Sequence, residues 1–260
     1  MTLEEMKRLK RERGYTMAQL SEYSGVPLGT LQKIFTGETS HPRYATRLAL
    51  ETALTEKNIS RVCETASYYY GQKEKRQGEY TIEDYYTFPD ERRVEMIDGV
   101  IYDMSAPEVV HQRIAGLCYF RISEYIQKQG GSCIPMMSPV DVRLDCDDKT
   151  MVQPDVIILC DDHKIKRWGI MGAPEFVLEV TSASTRKRDF TKKLQKYAEA
   201  GVKEYWIIDP KKKSLVTYDF INEDMPCVWP LKGRVGLALY NGELEINLDE
   251  IAGLIQEWPE

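Results

Sequence analysis

The chain contains no run of 18 apolar residues, so it holds no candidate for a membrane-crossing helix. Its six cysteines, at 63, 118, 133, 146, 160 and 227, form no CxxC pair, which removes the usual zinc frameworks. Most of them sit in apolar runs, which predicts reduced core thiols rather than disulfides. The first residues, MTLEEMKRLKRERG, carry charge where a signal core would be apolar. That argues against export and predicts a cytoplasmic protein. No internal repeat is visible.

What is present is an ordinary globular composition, 42% apolar over 260 residues, enough for one large domain or two smaller ones. The net charge of −6 is unevenly divided. Residues 1–80 carry 13 Lys+Arg against 10 Asp+Glu, and the remainder 22 against 31. Such an acidic chain does not bind nucleic acid through bulk charge, although a local basic groove or a carboxylate metal site remains open.

Residues 1–57 have helical spacing throughout. In TMAQLSEYSGVPLGTLQKIFTGE, Thr16 followed by Gln19 is a capping box, and Gly25 can take the positive φ that ends a helix. Pro27 suits the start of the next helix, and Leu31 and Ile34 give it a buried face. This stretch resembles the phage-repressor (Cro/cI-like) helix-turn-helix domains, with Ser21 standing where those more often have alanine. The resemblance implies that Gly29, Thr30, Gln32 and Lys33 lie on the exposed face of a helix that enters a DNA major groove. A small helical bundle for dimerisation or protein contact is the competing reading. Residues 58–79, with SYYYGQKEKRQGE, read as a linker.

From residue 80 the texture changes to an α/β pattern, taken to run to residue 260. TIEDYYTF reads as a short capped helix, and RRVEMIDGVIYDM as a hairpin about Asp98-Gly99. A helix is predicted from Glu108 to Gln129. Strands follow at 132–144, 152–160 and 175–181, then a helix over 187–200 and the strand EYWIIDP. Short strands at 214–219 and 226–230 precede a last strand and helix in LEINLDEIAGLI. The expected class is α/β, a mixed sheet flanked by helices, beside a small all-α module.

Two carboxylates are out of place in this pattern. Asp155 follows Pro154 at the head of the apolar run VIIL, and Glu179 lies deep in FVLEV. Strand alternation puts Phe176, Leu178 and Val180 on one face and Glu175, Val177, Glu179 and Thr181 on the other. Paired carboxylates repel unless a cation lies between them, and magnesium or manganese suits hard oxygen ligands. In the helix that follows, Asp189, Lys193 and Tyr197 share a face at i, i+4 and i+8.

QPD, then EVTSASTRKRDFTKKLQKYAEAGVKEYWIID, with VEMIDGVIYDMSAPEVVHQ upstream, resembles the Uma-two family of restriction endonucleases within the PD-(D/E)XK nuclease superfamily. The resemblance implies a restriction-endonuclease-like core and a magnesium- or manganese-dependent DNA endonuclease. Asp155 and Glu179 would hold the metal. Lys193 would replace the lysine usual two residues beyond the glutamate, where this chain has Thr181. Glu95, and His111 with Gln112, match further polar positions of the family's site. Double-stranded DNA and a homodimer are the implied partners. Two rivals stand beside this reading: a DNA-binding regulator with a decayed nuclease domain, and an interaction platform in a mobile-element or toxin-like system.

Overall fold

The computed structural model describes residues 1–39, 42–55, 75–89, 92–144, 147–222 and 225–257. The chain divides into two compact units, Met1–Asp103 and Met104–Glu260. Among the described residues no helix is long and apolar enough to cross a membrane.

The first unit opens with four helices: α1 (Leu3–Glu12), α2 (Met17–Ser24), α3 (Leu28–Thr36) and α4 (Tyr44–Thr55). The Thr16–Gln19 capping box forms, satisfying amides at the α2 start; such a cap stabilises by about 1 kcal/mol. Gly25 ends α2 at φ 69 and Pro27 caps α3. Met6, Leu20, Val26, Leu31, Ile34, Leu50, Ala53 and Leu54 pack together as the core of the four helices. Burial of each large side chain here contributes roughly 1.5–3 kcal/mol.

The same unit holds a short helix, α5 (Ile82–Tyr85), and the hairpin of β1 (Val94–Ile97) and β2 (Val100–Asp103). Asp98 and Gly99 both take positive φ, 52 and 69, as a two-residue hairpin turn requires. A Cβ on Gly99 would meet the Gly78 oxygen at 2.6 Å, so no other residue fits there. Arg43, ahead of α4, donates to the carbonyls of Phe88 and Arg92 and lies over the Tyr85 ring. These contacts tie the start of α4 to α5 and to the segment that leads into the hairpin. Most of the expected linker, 58–74, lies outside the described residues.

The second unit is a layered α/β structure. β3 (Ile134–Met137), β6 (Val156–Leu159), β9 (Phe176–Val180), β10 (Glu204–Asp209), β11 (Ser214–Asp219) and β12 (Cys227–Pro230) form a sheet in the order β12-β11-β10-β9-β6-β3. β9 and β10 are parallel; the other neighbours are antiparallel. A parallel pair needs a crossover, and α7 (186–200) supplies it. Its first turn is α-helical, Asp189–Lys193 is π-helical, and Leu194–Ala200 returns to α. On the opposite face, α6 (Val109–Gln129) presents Ile114, Cys118, Ile122 and Ile126 to Val156, Ile158, Phe176, Leu178, Val180, Trp206 and Ile208. Four-residue spacing on the helix meets two-residue spacing on the strands.

The predicted strand 132–144 is broken. The cis Ser138–Pro139 bond separates β3 from β4 (Val142–Arg143), and Pro154 separates β5 (Met151–Val152) from β6. β5, β4, β8 (Gly169–Met171) and β7 (Ile165–Lys166) lie side by side in that order. The β7–β8 hairpin was not expected, nor was β13 (Arg234–Gly236), which pairs with β14 (Glu245–Asn247) ahead of α8 (Leu248–Glu257).

The cysteine expectation requires correction. Cys133 and Cys160 form a disulfide. The antiparallel register matches Ile134 with Leu159, so the two cysteines face each other one step beyond the ladder. Their sequence separation of 27 hid a proximity that only strand pairing creates. Cys118 is a buried free thiol, as expected, whereas Cys227 is exposed on β12. Cys63 and Cys146 lie outside the described residues.

Candidate active site

Pro154 and Asp155 stand where β5 has ended and β6 begins. Asp155 has the same strand parity as Ile157, which puts its side chain on the Glu179 face of the sheet. Its Oδ2 accepts from the Val180 N–H at 2.7 Å, which ties the head of β6 to the end of β9. The His111 Nε2, from the first turn of α6, lies 3.2 Å from the same oxygen. Asp155 Oδ1 takes no hydrogen bond among the described residues. Burial pulls the His111 pKa down, but the hydrogen bond and charge of Asp155 outweigh it, so the net shift is upward. The other ring nitrogen, Nδ1, is buried without a hydrogen-bond partner.

Glu179 is 4% exposed and sits opposite Ile207 of β10. A carboxylate at that depth needs compensation, and α7 provides it. Lys193 Nζ donates to Glu179 Oε1 at 2.8 Å, and the Tyr197 hydroxyl donates to the same oxygen at 2.7 Å. Lys193 is 3% exposed and also lies 4.0 Å from Asp189. The Tyr205 hydroxyl donates to the Asp189 carbonyl. Its pKa is pushed well above the usual range by burial first, then by the charges of Glu179, Asp189 and Asp155.

The structure thus brings together Asp155, Glu179, Lys193 and His111 in the second unit. Tyr197 and Asp189 complete the cluster; they were noted as companions of Lys193 on its helix face, not as site residues. Arg186, at the start of the same helix, pairs with Asp209. Thr181 is buried, and its N–H donates to the Ile208 carbonyl. Glu95 is buried on β1 of the first unit, and the neighbouring Arg92 pairs with Asp103.

In the four-helix region, Gly29, Gln32 and Lys33 are exposed on α3. Thr30 is not: at 6% exposure it belongs to the inward stripe with Leu31 and Ile34. The i, i+4 relation of Thr30 to Ile34 places it inward.

The donor set suits a hard divalent cation. Two carboxylates project from adjacent strand ends on one face, and Asp155 Oδ1 is uncommitted. A separate group, Asp161, Asp162 and His163, has ligand atoms within 4.8 Å of one another. It follows the far end of β6, and Asp162 and His163 are largely exposed.

A central sheet with carboxylates on neighbouring strand ends, and a buried ammonium delivered by the crossover helix, belongs to the nuclease-like α/β folds. A solved structure has the same fold: a "putative nuclease belonging to DUF820" from Anabaena variabilis, 17% identical, with a TM-score of 0.57. The match covers 67% of this chain and 98% of that one. Residues 82–223 match Uma2, a family described as "Putative restriction endonuclease", and the chain belongs to that family. No curated protein matches it.

Proposed function

We propose that the protein is a divalent-metal-dependent DNA endonuclease whose site is built on Asp155, Glu179 and Lys193. The observation that carries this reading is the 2.8 Å contact between the buried Lys193 ammonium and Glu179, on the sheet face that also holds Asp155. A buried carboxylate and ammonium are costly to assemble for stability alone, since desolvation consumes most of their attraction. Magnesium or manganese held by Asp155 and Glu179 would activate water and stabilise the departing oxygen of a phosphodiester.

The chain's own residues hold this arrangement in place. Val180 N–H and His111 orient Asp155 through Oδ2, leaving Oδ1 directed elsewhere. Tyr197 and Lys193 both grip Glu179 Oε1, which fixes the carboxylate's rotation. Lys193 then stands where it can hold a water or a phosphate oxygen. Glu95 is carried as a site residue by the resemblance of its hairpin. Gln32 and Lys33, with Gly29, are the α3 positions from which a helix-turn-helix module would target the duplex. Cutting both strands calls for two copies of the site.

Plasmid cleavage in low salt tests the proposal, because phosphate contacts weaken steeply as salt rises. Supercoiled DNA is incubated with magnesium, with manganese and with chelator, beside Asp155→Asn. Metal-dependent nicking that the variant loses is the expected result. Tight duplex binding with no cleavage under either metal would favour the regulator with a decayed site, for which Thr181 at the lysine position is the supporting observation.

A further inference from the structure

The chain is acidic, yet one turn of the second unit concentrates positive charge. Residues 210–213, Pro-Lys-Lys-Lys, join β10 to β11, and all three lysines are exposed. Lys212 and Lys213 enter no ion pair among the described residues.

The turn is held firmly. Asp209, 2% exposed at the end of β10, accepts from the Lys212 N–H at 2.9 Å and from Arg186 Nε at 2.6 Å. The Lys213 carbonyl accepts from the Leu231 N–H at 3.1 Å. Lys213 itself adopts φ 49, a left-handed conformation that favours glycine or asparagine. A strained backbone position filled by a charged residue points to work done by the side chain.

The turn's place in the sheet says what that work is. β10 runs parallel to β9, so the turn emerges at the same end of the sheet as Asp155. Ile208 lies opposite Val180, and the Val180 N–H donates to Asp155 Oδ2. Two strand spacings, roughly 10 Å in all, separate the Asp155 strand from the strand that carries the lysines. A polyanion drawn across that end of the sheet meets the carboxylate site and the lysines together.

We propose that Lys212 and Lys213, on the β10–β11 turn, bind the phosphate backbone of duplex DNA and seat it across the Asp155 end of the sheet. The choice of ligand rests on the nuclease reading above. Phosphate contact of this kind positions a duplex without reading its sequence.

Affinity of the full chain for a short duplex, measured in chelator across about 50–200 mM salt, tests it. The variant is Lys212→Gln/Lys213→Gly, whose glycine suits the left-handed backbone, beside the charge-retaining Lys212→Arg/Lys213→Arg. Loss of two phosphate contacts lowers the slope of log affinity against log salt by about 1.8. Across that fourfold range, wild-type affinity then falls about twelvefold further than that of the neutral variant, and the arginine variant follows wild type. An unchanged slope in the neutral variant overturns the proposal, as does an absence of duplex binding by wild type. Cleavage with magnesium is scored in parallel. Cutting by wild type with an unchanged slope removes the lysine contact alone. A lysine-dependent slope without cutting by wild type removes the nuclease reading and leaves the contact standing.

Discussion

Replacing Lys193 by methionine tests the geometry on which the proposed chemistry depends. The ammonium lies 2.8 Å from Glu179 Oε1, with the two side chains 3% and 6% exposed. At an effective dielectric of 20, that separation corresponds to about 6 kcal/mol of gross attraction. Methionine keeps most of the volume but removes the ammonium, while the Tyr197 hydroxyl still donates to Glu179 Oε1. Stranding one member of a buried pair costs about 3–5 kcal/mol. Glu179→Gln/Lys193→Met removes the stranded charge and keeps an acceptor for Tyr197, so it should cost about 1–2 kcal/mol, less than Lys193→Met alone. Urea unfolding of both single variants and the double gives a coupling energy, the summed single costs less the double, expected at about 4 kcal/mol or more. A cost below about 1 kcal/mol for Lys193→Met, or additivity within about 0.5 kcal/mol, would refute the buried pair. The nuclease proposal would then lose its central observation.

The pH profile and the thiols give two further outcomes. In chelator, the His111–Asp155 contact favours protonated His111 in the folded state, because its pKa is raised despite burial. The stability it contributes is fully present below the unfolded value of about 6.5 and is lost as pH rises through the folded value. His111→Gln should abolish that part of the pH dependence of the unfolding midpoint, and an identical profile in the variant would sink the assignment. For the thiols, burial pushes Cys118 up to about 12. Alkylation of the unreduced native protein at about pH 8 should therefore label Cys227 and spare Cys118, Cys133 and Cys160. Recovery of Cys133 and Cys160 as alkylated peptides without reductant would refute their pairing.

The elements with a local cause were legible in the sequence. Thr16 with Gln19, Gly25, Asp98-Gly99 and Gly130 each fix backbone geometry within a few residues, and α2, the β1–β2 hairpin and α6 follow from them. The sequence singled out Asp155 and Glu179 as misplaced carboxylates, and helix spacing put Lys193 with Asp189 and Tyr197; that the two carboxylates share a face follows from the register of β6 with β9. Features made by pairing distant segments were not legible. The Cys133–Cys160 bond depends on the register of β3 with β6, and the β7–β8 hairpin is too short to show a period. Thr30 shows the limit of a face assigned by analogy, since its i, i+4 spacing to Ile34 already puts it on the inward stripe. The pairing of Lys193 rather than Arg186 with Glu179 is equally non-local. It turns on Asp209, which takes Arg186 from a different strand.

The π-helical stretch Asp189–Lys193 makes α7 a fixed gauge rather than a flexible connector. Asp189, Lys193 and Tyr197 reach one buried spot because the count of residues between them suits that mixed winding. A helix turns about 100° per residue. One residue removed or inserted between 189 and 197 would swing the ammonium or the phenol away from Glu179 and leave the rest of the helix intact. Length, more than residue identity, is therefore the property of this segment by which a working copy of the site can be told from a broken one.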